Sequence, residues 1–186
     1  MKTLFLVITL CFISNSASAD IMTDFGFAYS ADTLNTSASS GNTEYFYNLD
    51  ILFALDHNRR FNVGWSFYDI SQTSTASGTS TTYSSFDMGP AFRWQMDKSG
   101  TYSATLGYGY LAKGSYNSGS TSETWSGTSL FAQFAAQAPL GDKFYIGLSL
   151  NYYSASYSQK TVSSVESSNS ATKSWIFPML SMTWRP

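Results

Sequence analysis

The stretch Phe86-Asp87-Met88-Gly89-Pro90-Ala91-Phe92-Arg93-Trp94-Gln95-Met96 decides the fold of this chain. Every second residue, starting at Phe86, is large and apolar or is proline, whereas the residues between them are small, polar or charged. Alternation over the whole stretch is the period of a β-strand with two different faces. A soluble sandwich buries its large apolar side chains, whereas a membrane barrel points them outward at lipid and keeps the polar set in its lumen.

Seven further segments alternate in the same way, and no segment shows a helical period of comparable quality. The eight predicted strands span residues 21–31, 44–55, 61–70, 83–96, 101–113, 128–138, 144–154 and 175–184. Segments of about ten residues match a tilted strand that crosses a bilayer. Because an open sheet edge is not tolerated in lipid, the eighth strand is expected to pair with the first and close the barrel.

The predicted connections alternate between short and long along the chain. The short ones, at 56–60, 97–100 and 140–143, contain turn-forming residues. The long ones, at 32–43, 71–82, 114–127 and 155–173, are dominated by Ser, Thr, Asn and Gly, which predicts solvated loops. This alternation is typical of a transmembrane barrel with short periplasmic turns, long outer loops and both termini in the periplasm.

Aromatic residues predict two belts on the outward face. One belt, near the short turns, contains Phe61, Trp94, Tyr102, Phe144 and Trp184; the other contains Tyr45, Trp65, Phe67, Tyr83, Tyr110 and Tyr152. Two aromatic girdles around an aliphatic middle match the two membrane–water interfaces. Aromatic residues make up 17% of the chain and charged residues only 12%. A soluble domain usually carries about 25% charged residues, so this balance also favours a surface that faces lipid.

The first residues have the features of an export signal. A positive charge at Lys2, an apolar run over 4–13 and the sequence Ala17-Ser18-Ala19 predict a signal peptide at 1–19, which leaves a mature barrel at 20–186. The apolar run is too short for a membrane-spanning helix. Removal of Cys11 with the signal leaves no cysteine for a disulfide framework, and the acidic balance gives no basic field for nucleic acid.

With these features the chain resembles the small eight-stranded outer-membrane barrels of Gram-negative bacteria, of the outer-membrane protein A or X kind. The resemblance covers residues 20–186 and rests on architecture rather than on a diagnostic motif. It implies an all-β, antiparallel up-and-down transmembrane barrel, monomeric in the outer membrane, with lipids as its surroundings. Such barrels commonly end in an aromatic residue that the insertion machinery recognises, whereas here Arg185 and Pro186 follow Trp184.

Enzymatic chemistry is disfavoured by the sequence. The one histidine, His57, lies in a short predicted turn without a serine within two residues, so it is interpreted as a solvated turn residue. A mature chain without cysteine and with one histidine offers no zinc-ligand cluster, and we expect neither a metal nor a cofactor.

Four charged residues are expected on inward positions: Asp50, Asp87, Arg93 and Lys113. Unpaired charges in a narrow interior are costly, which predicts that Asp87 lies near Lys113 and Arg93 near Asp50. Such a network serves either as a structural plug or as a gate that anchors a ligand. An eight-stranded barrel is just wide enough for side chains to fill, which disfavours a general porin.

Two prolines, Pro90 and Pro178, fall within predicted strands on the lipid face. Each removes a ladder donor, which marks either a bulge or a weak seam through which a lipophilic molecule slips sideways. The sequence thus predicts a non-enzymatic barrel with a filled lumen and a membrane-structural or surface-interaction role through its outer loops. The alternative is a narrow channel or carrier for small or lipophilic molecules.

Overall fold

The computed structural model describes residues 21–34, 40–76 and 78–186, so the predicted signal peptide at 1–19 lies outside the described residues. Eight antiparallel strands form a closed barrel in chain order. Their bounds are β1 Ile21–Leu34, β2 Ser40–Ala54, β3 Phe61–Ala76, β4 Thr79–Gln95, β5 Tyr102–Ser118, β6 Thr121–Pro139, β7 Phe144–Val162 and β8 Val165–Trp184. The predicted all-β, up-and-down eight-stranded barrel is therefore confirmed. The described residues contain no helix of the length and apolarity needed to cross a membrane.

The alternation from Phe86 to Met96 separates the inner and outer faces of the barrel wall. In β4 the side chains of Asp87, Ala91 and Arg93 are buried in the lumen, whereas Phe86 and Trp94 are 47% and 39% exposed on the outside. From Phe86 to Trp94, eight residues at about 3.3 Å rise and about 40° tilt give an apolar band roughly 20 Å tall. A band of this height matches the hydrocarbon-facing surface of a small membrane barrel.

The predicted long loops are mostly strand, which corrects that part of the prediction. Only Gly119 and Ser120 separate β5 from β6, and only Ser163 and Ser164 separate β7 from β8. Threonine favours strands, and a hairpin with water on both faces needs no apolar alternation. The Ser- and Thr-rich segments therefore continue the barrel ladders as long hairpins. In the first connection, residues 35–39 lie outside the described part of the chain.

Irregular pairing occurs where Pro90 lies. The register between β4 and β5 shifts between Met88 and Ala91, and the register between β5 and β6 shifts between Gly109 and Ala112. A bulge therefore lies at the level of Pro90, but its extra residue belongs to β5: β4 advances by three residues from Met88 to Ala91, while β5 advances by four from Gly107 to Leu111. Pro178, in contrast, pairs with Leu150 of β7 without a shift. A bulge adds an unpaired residue and reverses which side chains face inward beyond it.

The barrel closes through a short ladder. β1 and β8 form five residue pairs, from Thr23↔Trp184 to Phe27↔Leu180. Every other neighbouring pair of strands forms between 13 and 18 such pairs. The wall is therefore continuous around seven seams and shorter at the eighth.

Candidate functional site in the lumen

A buried ion pair lies in the lumen near the short-turn end. Arg93 of β4 and Asp24 of β1 are both wholly buried and form this pair. The guanidinium also donates to Ser103 Oγ at 2.8 Å and to Gln137 Oε1 at 3.5 Å. Ser181 Oγ donates to Asp24 Oδ1 at 3.1 Å. The ion pair and its hydrogen bonds thus connect five strands across the interior: β1, β4, β5, β6 and β8.

Asp50 is also wholly buried, but it is not hydrogen-bonded to Arg93. It lies directly opposite Asp24 in the β1–β2 register. Its Oδ1 accepts from Asn48 Nδ2 at 2.8 Å and from Ser66 Oγ at 2.5 Å. The predicted pairing of Arg93 with Asp50 is therefore corrected: the guanidinium pairs with the neighbouring carboxylate of Asp24. The sequence contained a signal for Asp24, because it shares the inward parity of Gly26.

A second polar group surrounds Asp87, nearer the long hairpins. Its carboxylate accepts from Ser85 Oγ at 2.5 Å and from Tyr153 OH at 2.5 Å. Ser85 Oγ in turn accepts from Tyr157 OH at 2.8 Å, and the hydroxyl of Tyr157 lies 2.5 Å from that of Tyr83. Because β4 and β7 are not neighbours in the ring, these tyrosines cross the lumen. Asp87 is thus held by hydroxyl groups and not by a cation.

Lys113 is not a lumen residue, which corrects the prediction. It is exposed and pairs with Phe86, an outward residue, while its neighbour Ala112 is 1% exposed. The cause is the register shift between Gly109 and Ala112, beyond which the even-numbered residues of β5 face inward. The predicted proximity of Asp87 to Lys113 inside the barrel is therefore wrong. Tyr83, expected in the outer belt, is likewise buried inside.

Aromatic side chains fill the lumen between the two polar groups. The ring of Phe46 lies 4.6 Å from that of Phe177 and 5.8 Å from that of Phe131, measured between centroids. Tyr68 lies 4.7 Å from Phe131, and all of these except Phe177 are less than 5% exposed. Such rings pack at separations typical of favourable aromatic pairs. These rings form the aromatic layer of the lumen, and they pack against the Asp87 group, since the ring of Tyr153 lies 5.7 Å from that of Phe46.

The turn that contains His57 is remote from this interior. His57 is exposed, between β2 and β3 at the short-turn end. At the same end Arg59 Nη2 donates to the carbonyl oxygen of Pro186 at 3.0 Å, which fixes the chain end beside this turn. Among the described residues, no group of three or more His, Cys, Asp and Glu side chains is arranged to hold a metal ion.

Comparisons with known proteins add one structural likeness. No protein-family model and no curated protein matches the chain. Among solved structures, the translocator domain of the autotransporter NalP from Neisseria meningitidis is similar, with 13% sequence identity and a TM-score of 0.45. The alignment covers 98% of this chain and 67% of that chain. The assignment of this chain to the eight-stranded antiparallel barrels therefore rests on its own strand pairing.

Proposed function

We propose that this chain is a non-enzymatic, monomeric barrel of the bacterial outer membrane whose lumen is closed and whose polar hairpins extend outside the cell as a contact surface. The observation that carries the proposal is the filled lumen. Three sets of buried side chains occupy it: the group around Arg93, the aromatic layer around Phe46 and the group around Asp87, the last two packed together in one cluster. A water-filled path for solutes needs a wider ring than eight strands provide.

The outer surface supports the membrane location. Large apolar side chains are exposed all around the ring, for example Leu106 at 56%, Leu148 at 64% and Ile176 at 72%. A soluble monomer rarely exposes a continuous apolar band of this extent. Lipid that covers the band removes it from water, and a closed sheet satisfies the backbone hydrogen bonds there.

The hairpins support a role at the cell surface. Above the apolar band, β7 and β8 continue through Ser, Thr and Asn residues to the turn at Ser163 and Ser164. Their hydroxyl and amide groups offer hydrogen bonds to a polar partner, whereas large apolar side chains are few, Val165 being one. The proposal places the termini and His57 on the opposite, periplasmic side.

Planar-bilayer recording tests the closed lumen. The refolded barrel should produce no conductance steps in a bilayer in which a general porin produces them. Reproducible steps from this chain would instead favour the channel alternative. Incubation with labelled lipid should yield no turnover, because the one histidine, His57, lies in an exposed turn away from the serine hydroxyls of the lumen. Turnover would contradict the non-enzymatic part of the proposal.

Cysteine labelling tests the orientation. Ser163→Cys, at the β7–β8 turn, should react with a membrane-impermeant maleimide on intact cells. Ser99→Cys, in the turn between β4 and β5, is the matched control and should react only after the outer membrane is permeabilised. The reverse result would overturn the orientation, and equal labelling of both on intact cells would overturn the membrane location.

A further inference from the structure

The β1–β8 seam stops halfway up the wall. Continuing its register beyond Phe27↔Leu180 would pair Tyr29 with Pro178 and Ala31 with Ile176, but the ladder ends first. Both strands continue past this point, since β1 extends to Leu34 and β8 begins at Val165. Pro178 lacks the N–H that a ladder partner would use, so it stands where the pairing ends. The two strands therefore diverge within the height of the apolar band.

A cavity of about 490 Å³ occupies the gap. It is lined on the outside by Tyr29, Ile176 and Pro178, and on the inside by Phe46, Ile70 and Phe177. Outward and inward residues in one lining mean that the cavity passes through the wall, from the lipid-facing surface to the aromatic layer of the lumen. Its volume lies in the range of small-molecule sites in proteins, about 300–1,000 Å³.

The lining is amphipathic. Its inner part is aromatic and aliphatic, whereas Ser30 and Glu44 contribute polar groups toward the hairpins. The Glu44 carboxylate accepts from Asn42 Nδ2 at 2.9 Å and from Gln72 Nε2 at 2.7 Å. A cation also stands beside the cavity, because Lys173 Nζ lies 5.0 Å from the ring centroid of Trp175, a lining residue.

Backbone groups in the gap need partners. Where β1 and β8 diverge, the N–H and C=O groups directed at the missing ladder have no strand opposite them, and at membrane depth such groups are tolerated only beside a polar partner. The gap lies about six residues above Trp184, roughly 15 Å along the barrel axis at about 40° tilt, near the outer part of the apolar band. The ester and phosphate oxygens of a lipid lie at that boundary and accept hydrogen bonds.

We propose that the β1–β8 seam binds one phospholipid of the surrounding membrane, with an acyl chain passing through the wall onto Phe46, Ile70 and Phe177. The ester and phosphate oxygens meet the free backbone N–H groups of the seam and the charge of Lys173. This inference rests on the proposed membrane location, and it assigns binding of the lipid without any chemical change.

Tryptophan quenching by a phospholipid brominated in the middle of its acyl chain tests the proposal, because bromine quenches by contact. Variants that keep one of the five tryptophans, with phenylalanine at the others, are refolded into such bilayers. The variant with Trp175 reports on the cavity, and the variant with Trp65 reports on the lipid-facing wall. A tryptophan-free barrel with Phe131→Trp reports on the lumen behind a fully paired wall.

The brominated lipid should quench Trp175 to an extent similar to Trp65 and several-fold more than the Phe131→Trp control. Adding Ala28→Phe, which fills the cavity from β1, should abolish the quenching of Trp175. Ala132→Phe, on the fully paired outer wall, is its matched control and should leave the quenching unchanged.

Quenching of Trp65 without quenching of Trp175 would overturn the proposal, including the case in which a second copy of the barrel covers the seam. Quenching of Trp175 that survives Ala28→Phe would overturn insertion through the seam. If Trp65 itself is not quenched, the barrel is not in the bilayer, and the proposed function fails rather than the seam alone.

Discussion

Replacing Arg93 with methionine removes the one guanidinium of the buried ion pair while keeping a long apolar side chain. Asp24 then stays wholly buried, with the 3.1 Å hydrogen bond from Ser181 but without its cation. Breaking a buried pair from one side costs about 3–5 kcal/mol, because an uncompensated charge is left in a low-dielectric interior. We expect Arg93→Met to lower the free energy of unfolding by about this amount.

The double variant separates the cost of the orphaned charge from the cost of the lost packing. Replacing a whole buried pair by apolar residues is often neutral or stabilising by about 1–4 kcal/mol. Arg93→Met combined with Asp24→Leu should therefore be clearly more stable than Arg93→Met alone. The measurement is urea-induced unfolding from lipid vesicles under reversible conditions, followed by tryptophan fluorescence.

The ion pair between Lys160 and Glu123 provides the control. It is 3.4 Å long, and the lysine side chain is 34% exposed. Removing it with Lys160→Met should cost no more than about 1 kcal/mol, since water screens exposed pairs. The reasoning is refuted if Arg93→Met costs no more than this control, or if the two lumen substitutions add without any coupling.

Three further predictions concern the turns and the outer wall. Partial desolvation of Asp97 raises its pKa, but hydrogen bonds from the Ser99 hydroxyl and the Tyr102 N–H outweigh it and lower the pKa to about 2. The ionised carboxylate therefore adds a small stabilisation of the folded barrel that is full above about pH 4 and is lost as the pH falls through about 2. This pH-dependent step should be absent from the stability–pH curve of Asp97→Asn. Lys113→Ala should change the free energy of unfolding by less than about 0.5 kcal/mol, because Lys113 faces outward. A decrease of about 3 kcal/mol, as expected for a buried ion pair broken from one side, would contradict this position. Both turn residues between β7 and β8 have positive φ, 47° and 67°, so Asn-Gly at 163 and 164 should raise the urea midpoint of unfolding, and an unchanged or lower midpoint would contradict the turn geometry.

Much of the fold can be predicted from the two-residue period of the strands. Alternation from Phe86 to Met96 predicts inner and outer faces correctly, because one residue of slip would reverse the whole segment. Chain order and short turns then determine the up-and-down ring. The hairpin extensions are harder to predict, since Ser and Thr are as common in loops as in polar strands. The two-residue turn at Ser163-Ser164 lacks the Gly or Asn that usually identifies such a turn in a sequence.

The lumen contacts depend on features that a single sequence does not contain. Parity places Asp50, Asp87 and Arg93 inside, but one extra residue in β5, which shifts its register with both β4 and β6, places Lys113 outside. Which carboxylate meets Arg93 depends on the stagger between strands that are far apart in sequence, and this stagger is set when the barrel closes. The short β1–β8 ladder follows from the same stagger, and Pro178 is the one local feature of the sequence that indicates where this ladder ends.

The five-pair closure also has a consequence for assembly kinetics. Every other strand contact forms within a hairpin, between neighbours in sequence, whereas the pairing of Thr23 with Trp184 joins the two ends of the barrel. Contacts of such long sequence separation carry the largest loop-closure entropy and form late. Closure of the β1–β8 seam therefore forms few hydrogen bonds to offset a large loss of chain entropy. Substitutions in the five paired residues of β1 or β8 should accordingly alter the rate of the last folding phase while leaving hairpin formation unaffected.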